Sequence, residues 1–190
     1  MRALLFALCV WMLTACGDAG DIKFKGSDIT GTKLGQSWTL VGMDGKTVTP
    51  ASFQGKVTLV FFGFTQCPDV CPTALAELAQ VMKLLGERAA QVQVLMISVD
   101  PERDTPEVLR AYISGFDPRF IGLTGSAEQI KAAAGSFKAY YAKAPGPKGT
   151  YSMDHSSSFY LFDKKGQARA MLNSTIGAPA VAHDIEALLR

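Results

Sequence analysis

The stretch Val57-Thr58-Leu59-Val60-Phe61-Phe62-Gly63-Phe64-Thr65-Gln66-Cys67-Pro68-Asp69-Val70-Cys71-Pro72 decides how the chain folds. Its first half is a near-continuous apolar run, rich in β-branched and aromatic residues. That is the pattern of a strand buried on both faces. Its second half carries two cysteines and two prolines and leads into the run Thr73 to Leu85. There Leu75, Leu78, Ala79, Met82 and Leu85 recur at helical spacing, which predicts an amphipathic helix ended by Gly86. Val92 to Val99 reads as a second buried strand. Strand, helix and strand of these lengths predict a βαβ unit with parallel strands. In α/β proteins the chemistry collects in loops at the carboxyl ends of such strands, where both cysteines fall.

The flanking sequence extends this unit into one α/β domain over residues 37–190. Upstream, Trp38 to Val41 and Thr47 to Val48 flank Asp44-Gly45, the signal of a small hairpin. Downstream, Asp100-Pro101-Glu102-Arg103-Asp104 is a loop, with Asp100 read as a turn cap. Thr105-Pro106 opens a helix, threonine capping it and proline at its first position. Phe120 to Leu123 is a short strand. Ser126 and Gln129 form a capping box for a helix to about Gly135. The breaker cluster Ala144-Pro145-Gly146-Pro147-Lys148-Gly149 predicts an exposed hairpin tip, or a lid beside the site. Ser157 to Phe162 and Ala168 to Leu172 flank a turn and predict a second hairpin. Ala180 to Leu189 is a closing helix.

The N-terminus reads as an export and anchoring segment. Residues 1–15 carry one charge, Arg2, ahead of the apolar run Ala3 to Leu13, which is too short to span a membrane. The run ends Leu13-Thr14-Ala15-Cys16, which resembles a bacterial lipobox with Cys16 as the lipidated residue. Lipidation places the domain outside the cytoplasmic membrane or in the periplasm, tied to a membrane through lipid. Gly17-Asp18 leaves inner or outer membrane open. Residues 16–36 are rich in Gly, Asp, Thr and Lys and read as the lipidated cysteine and a flexible tether.

Bulk numbers exclude other classes. A formal charge of +2 without a basic cluster argues against nucleic acid as a partner. Four cysteines are too few for a disulfide scaffold in 190 residues. Cys9 leaves with the signal and Cys16 takes lipid, so Cys67 and Cys71 remain as one close pair.

That pair points to metal or redox chemistry. If residues 67–71 wind as a helical turn, four residues rise about 6 Å and return to the same face. The spacing then permits either a disulfide or a shared metal. Thiolates select soft metals, copper(I) above all, and an added imidazole suits both copper oxidation states. A helix N-terminus is expected to lower thiol pKa. Pro68 and Pro72 stiffen the loop. A third ligand has two candidates, His155 and His183. His155 sits between the breaker cluster and an apolar strand, whereas His183 lies in the closing helix and reads as structural. Asp154 is a candidate hydrogen-bond acceptor for the histidine, and Asp69 a candidate tuner of charge and docking. Met153 offers a thioether but reads as core. A peroxidase would need an arginine-assisted, proton-accepting set around one cysteine, and none surrounds Cys67.

Three ordered blocks carry a resemblance. Phe62-Gly63-Phe64-Thr65-Gln66-Cys67-Pro68-Asp69-Val70-Cys71-Pro72-Thr73 resembles the signature of the Sco/SenC proteins. Ile97-Ser98-Val99-Asp100-Pro101-Glu102-Arg103-Asp104-Thr105-Pro106 is similar to their second block. Asp154-His155-Ser156 with Phe159-Tyr160-Leu161-Phe162-Asp163 is similar to the third. The resemblance implies a thioredoxin-like fold: a central mixed sheet flanked by helices, with an added N-terminal β-hairpin. It implies one copper ion, held by Cys67, Cys71 and His155. It implies a membrane-anchored chaperone that helps assemble the dinuclear copper site of cytochrome c oxidase by copper delivery. The partners it implies are the oxidase subunit carrying that site and a second periplasmic copper chaperone. Some members resemble thiol-disulfide reductases instead, with Cys67 and Cys71 as the redox pair, keeping the oxidase cysteines or a partner chaperone reduced. Turnover as an enzyme is left open. Two departures are the lipid anchor, where many relatives use a membrane helix, and Lys164-Lys165, where proline is common.

Overall fold

A strand with no polar face must be covered on both sides, and the fold follows from that requirement. The computed structural model describes residues 22–190. In chain order its elements are β1 (Ser27–Asp28), β2 (Leu40–Gly42), β3 (Thr47–Val48), β4 (Val57–Gly63), α1 (Val70–Leu85), β5 (Val92–Ser98), α2 (Pro106–Ile113), β6 (Ile121–Thr124), α3 (Ala127–Phe137), β7 (Tyr141–Pro145), β8 (Tyr151–His155), β9 (Ser158–Phe162), β10 (Ala168–Asn173) and α4 (Ala178–Leu189).

All seven residues of β4 are buried, as are all seven of β5. Alternate side chains of a strand point to opposite faces. Accordingly Leu59 and Phe61 join Leu75, Leu78 and Met82 of α1 and Val181 and Ile185 of α4 in one core cluster. Val60 and Phe62 join Ile130, Ala133 and Phe137 of α3 in the other. The main sheet has eight strands in the order β1-β10-β9-β4-β5-β6-β2-β3. β4 and β5 pair in parallel from Val57–Val92 to Gly63–Ser98, and β5 pairs in parallel with β6. β9 runs antiparallel to β4, and β2 antiparallel to β6. The sheet is therefore mixed, with helices on both faces and the N-terminal β2–β3 hairpin added at one edge.

Local signals place most boundaries. The Thr105 hydroxyl accepts the Val108 N–H, and Pro106 opens α2. Ser126 and Gln129 form the reciprocal capping box of α3. α3 runs two residues past Gly135, because Phe137 is buried on the second core and Lys138 then ends the helix at φ +54°. α1 begins at Val70, three residues before the predicted start, so Cys71 lies in its first turn. Pro72 is compatible with that, since a first-turn residue has no intrahelical use for its N–H.

Two segments differ from the sequence expectation. Residues 22–36, read as tether, lie on the domain. Ile22 and Phe24 pack on the first core cluster, and β1 pairs with β10. The buried Asp184 carboxylate of α4 accepts the Lys25 N–H at 2.7 Å and the Gly26 N–H at 2.9 Å. The polar composition of this segment concealed its seat, because its partners come from the other end of the chain. The breaker cluster does form a hairpin tip, but the strands beside it, β7 and β8, pair only with each other and stand as a separate two-stranded sheet. The signal segment 1–15 and Cys16 lie outside the described residues. Among the described residues, no helix is long and apolar enough to cross a membrane.

Candidate metal centre

The cysteine loop leaves the carboxyl end of β4 and closes within one turn of α1. Its first residues are held from below: the buried Asp104 carboxylate accepts the Thr65 N–H at 3.1 Å and the Thr65 hydroxyl at 2.5 Å. The Ser98 hydroxyl, at the end of β5, donates to the same carboxylate at 2.5 Å. Cys67 is half-buried, with its N–H on the Phe64 carbonyl at 3.3 Å. Cys71 is buried, and its N–H donates to the Cys67 Sγ at 3.5 Å. Both are free thiols. Gly63 makes room for the second sulfur: a Cβ there would lie 3.1 Å from the Cys71 Sγ.

Sequence reasoning expects a helix N-terminus to lower thiol pKa. For Cys71 burial wins and pushes the thiol up, with the neighbouring Cys67 adding to the effect. A metal taken up here must displace that proton, and its positive charge supplies what the buried thiolate lacks.

His155 is the last residue of β8, opposite Tyr141 of β7. Its Nε2 lies 3.6 Å from the Cys71 Sγ. Its Nδ1 lies 3.0 Å from the Ser156 carbonyl oxygen, which can accept only an N–H. That fixes the tautomer with the Nε2 lone pair facing the sulfurs. The Phe64 ring meets the imidazole edge-on, with centroids 5.9 Å apart. The two sulfurs and a ring nitrogen all lie within 4.8 Å of one another. Three ligands at metal–ligand distances of 2.0–2.3 Å around one trigonal ion stand about 4 Å apart, so this donor set fits a single thiophilic ion.

The SCO1/SenC family profile matches residues 27–190. The chain belongs to this family. It is 39% identical over 151 residues to the SCO2-like protein of Rickettsia felis, covering 78% of this chain and 72% of that protein. It is 41% identical to the structure of Bradyrhizobium japonicum ScoI with copper bound, with a TM-score of 0.76, covering 82% of this chain and 99% of that one. A second structure, BsSco, is described by its disulfide switch and as a member of the Sco family of cytochrome c oxidase assembly proteins. It is 28% identical with a TM-score of 0.67, covering 85% of this chain and 96% of that one. The fold is thioredoxin-like.

Within this Sco/SenC domain the other residues singled out in the sequence fall as follows. Asp154 is exposed, and the acceptor on the His155 Nδ1 is the Ser156 backbone rather than this carboxylate. The reason is strand geometry: consecutive residues of β8 point to opposite faces. Asp69 is exposed at the N-cap of α1 and takes the Thr73 hydroxyl at 3.5 Å. Met153 is buried in the second core cluster, as a core residue. His183 pairs with Asp184 on α4 and is not part of the Cys67–Cys71–His155 group. Asp100 is not simply a turn cap: its buried carboxylate takes the Arg103 Nε–H and, at 2.9 Å, the Tyr151 hydroxyl. Arg103 and Asp104 fall in the second block of the resemblance, but the sequence pattern assigns no site role to them or to Tyr151. The available signal was three carboxylates, Asp100, Glu102 and Asp104, within five residues just past a wholly buried strand.

Proposed function

We propose that this chain is a membrane-anchored copper-binding protein that serves cytochrome c oxidase assembly by delivering copper to the oxidase's dinuclear site. One observation carries the reading: two thiols and one correctly oriented imidazole converge within 4.8 Å at the mouth of the cysteine loop. Cys67 and Cys71 are assigned as the thiolate ligands and His155 as the nitrogen ligand of one copper ion. Two thiolates and a neutral imidazole around copper(I) leave the centre with one net negative charge, and around copper(II) with none. Exposed Val70 precedes Cys71, and exposed Tyr140 takes the N–H of Ser156, the residue after His155, on its carbonyl; together they give an acceptor an apolar landing place. Lipid on Cys16 is assigned as the anchor, holding the domain outside the cytoplasmic membrane near its target.

A second reading has its own support. The Cys71 N–H points at the Cys67 sulfur, and amides aimed at sulfur stabilise a thiolate for exchange. A thiol-disulfide reductase acting on the oxidase's copper-site cysteines, or on a partner chaperone, uses the same pair. In that cycle the two thiols lose two electrons and two protons, and the partner disulfide takes them up.

The separating experiment is complementation of a deletion strain, scored by the copper content of its oxidase. Copper delivery predicts that the His155→Ala chain fails to restore oxidase copper and that excess copper rescues the deletion. Rescue by an added thiol reductant, with His155→Ala still active, would reverse the assignment.

A further inference from the structure

The hairpin that carries His155 shares no ladder with the main sheet, so something else must hold the imidazole over the cysteines. The loop between β5 and α2 supplies it. Arg103 lies over the Tyr151 ring with its guanidinium carbon 3.9 Å from the centroid, a stacked cation–π contact. Its Nη1 donates to the Tyr151 carbonyl oxygen at 3.2 Å, and its Nε–H to the buried Asp100 carboxylate. The Tyr151 hydroxyl completes the triangle on the other Asp100 oxygen at 2.9 Å. Lys143 of β7 adds an ion pair to Glu102 at 2.6 Å, an outer strap. Tyr151 opens β8 and His155 ends it, so a clamp on one sets the height and tilt of the other. Arg103 also faces the Phe64 ring, at 5.9 Å to its centroid, and that ring abuts the imidazole.

The same loop grips the other half of the site. Asp104, next to Arg103, holds Thr65 of the cysteine loop. One short segment, anchored at the end of β5 through Ser98, therefore fixes both halves of the ligand set against each other.

Resting on the copper reading above, we propose that Arg103, braced by Asp100 and Tyr151, is a positioning residue that holds His155 at the metal without touching it. A group of this kind typically changes metal affinity by about 10–100-fold when removed. Lysine cannot replace arginine here, because it cannot stack flat, reach Asp100 and reach the Tyr151 carbonyl together.

The test uses the full chain and copper alone, in four variants: His155→Ala, Arg103→Ala, Arg103→Lys and the double variant Arg103→Ala with His155→Ala. Copper affinity, the copper(II)–thiolate absorption band and amide hydrogen exchange of the apo chain are read for each. Arg103→Ala is expected to weaken copper by about 10–100-fold, to shift the band, and to speed exchange in β7 and β8 while β4 and β5 stay protected. Arg103→Lys recovers little. In the double variant the arginine change adds nothing to the loss from His155→Ala, because its effect passes through the imidazole. Tyr151→Phe, which removes only the hydroxyl, gives a smaller loss in the same direction and serves if Arg103→Ala does not fold. Wild-type affinity in Arg103→Ala beside a weakened His155→Ala would overturn the positioning role alone. So would fully additive losses in the double variant. Undiminished affinity in His155→Ala itself would overturn the three-ligand site and the positioning role together.

Discussion

The Cys71 Sγ and the His155 Nε2 lie 3.6 Å apart although 84 residues of chain separate them. The cysteine belongs to the first turn of a core helix, the histidine to the end of a hairpin outside the main sheet. Their meeting distinguishes a three-donor metal site from a bare dithiol, and it sets up the first prediction. Removing the imidazole separates the two chemistries. His155→Ala should lose tight copper binding while Cys67 and Cys71 still close a disulfide under oxidant. Equilibrium competition with a copper chelator reads the first, and a thiol count before and after oxidation reads the second. A variant that kept both would leave His155 without a role at the metal.

Gly63 is required by a sulfur rather than by its own backbone. An added Cβ would stand 3.1 Å from the Cys71 Sγ, 3.4 Å from the Phe61 ring and 3.6 Å from the Met96 Sδ. Gly63→Ala should therefore displace the thiol by a few tenths of an ångström, at a stability cost of about 1–2 kcal/mol from overpacking. Copper affinity should fall further than stability does, because ligand geometry tolerates less than packing. Denaturant melts of the apo chain and copper titrations, made in parallel, compare the two losses.

Asp104 is a buried carboxylate with three donors and no cationic partner in its hydrogen-bond set. Asp104→Ala leaves the Thr65 N–H, the Thr65 hydroxyl and the Ser98 hydroxyl without their acceptor. The expected loss is about 2–4 kcal/mol, seen as a lower urea midpoint at an unchanged slope. An unaltered midpoint would mean that the cysteine loop does not depend on this anchor.

Tyr151 gives a pH signature. Burial first, and its hydrogen bond to Asp100 second, push the phenol up to about 12. An unfolded tyrosine titrates near 10, so its folded value is the raised one. A raised group contributes stability that is fully present below the unfolded value and is lost as pH climbs through the folded value. The stability difference between wild type and Tyr151→Phe should thus be constant up to about pH 10 and shrink between about 10 and 12. Melting temperatures at a series of alkaline pH values measure it, and a difference that stays level to pH 12 would contradict the placement of this hydroxyl.

Much of this architecture was legible from local pattern. The apolar runs of β4 and β5 leave no polar face, and the Leu75–Leu85 repeat has the period of a helix that covers one side of a sheet. Thr105-Pro106 and Ser126 with Gln129 announce α2 and α3 because a cap and its helix are neighbours in sequence. The cysteine pair announces its chemistry because the two thiols stand four residues apart, although only Cys71 lies in α1 and Cys67 stays in the loop before its N-cap Asp69.

The sequence by itself determined the central βαβ unit, the caps and the chemical character of Cys67 and Cys71, because each depends on interactions spanning only a few residues. The tertiary structure alone decided the rest. It turned the His155 Nδ1 to the Ser156 carbonyl rather than to Asp154, set Asp104 beneath Thr65, and locked Tyr151 between Arg103 and Asp100. It also seated Lys25 and Gly26 on Asp184, 159 and 158 residues away. A single buried carboxylate or guanidinium whose partner lies dozens of residues off leaves no period and no spacing in the chain. Its position is fixed by the low dielectric of the interior, where an unpartnered charge costs more than the loop closure needed to satisfy it.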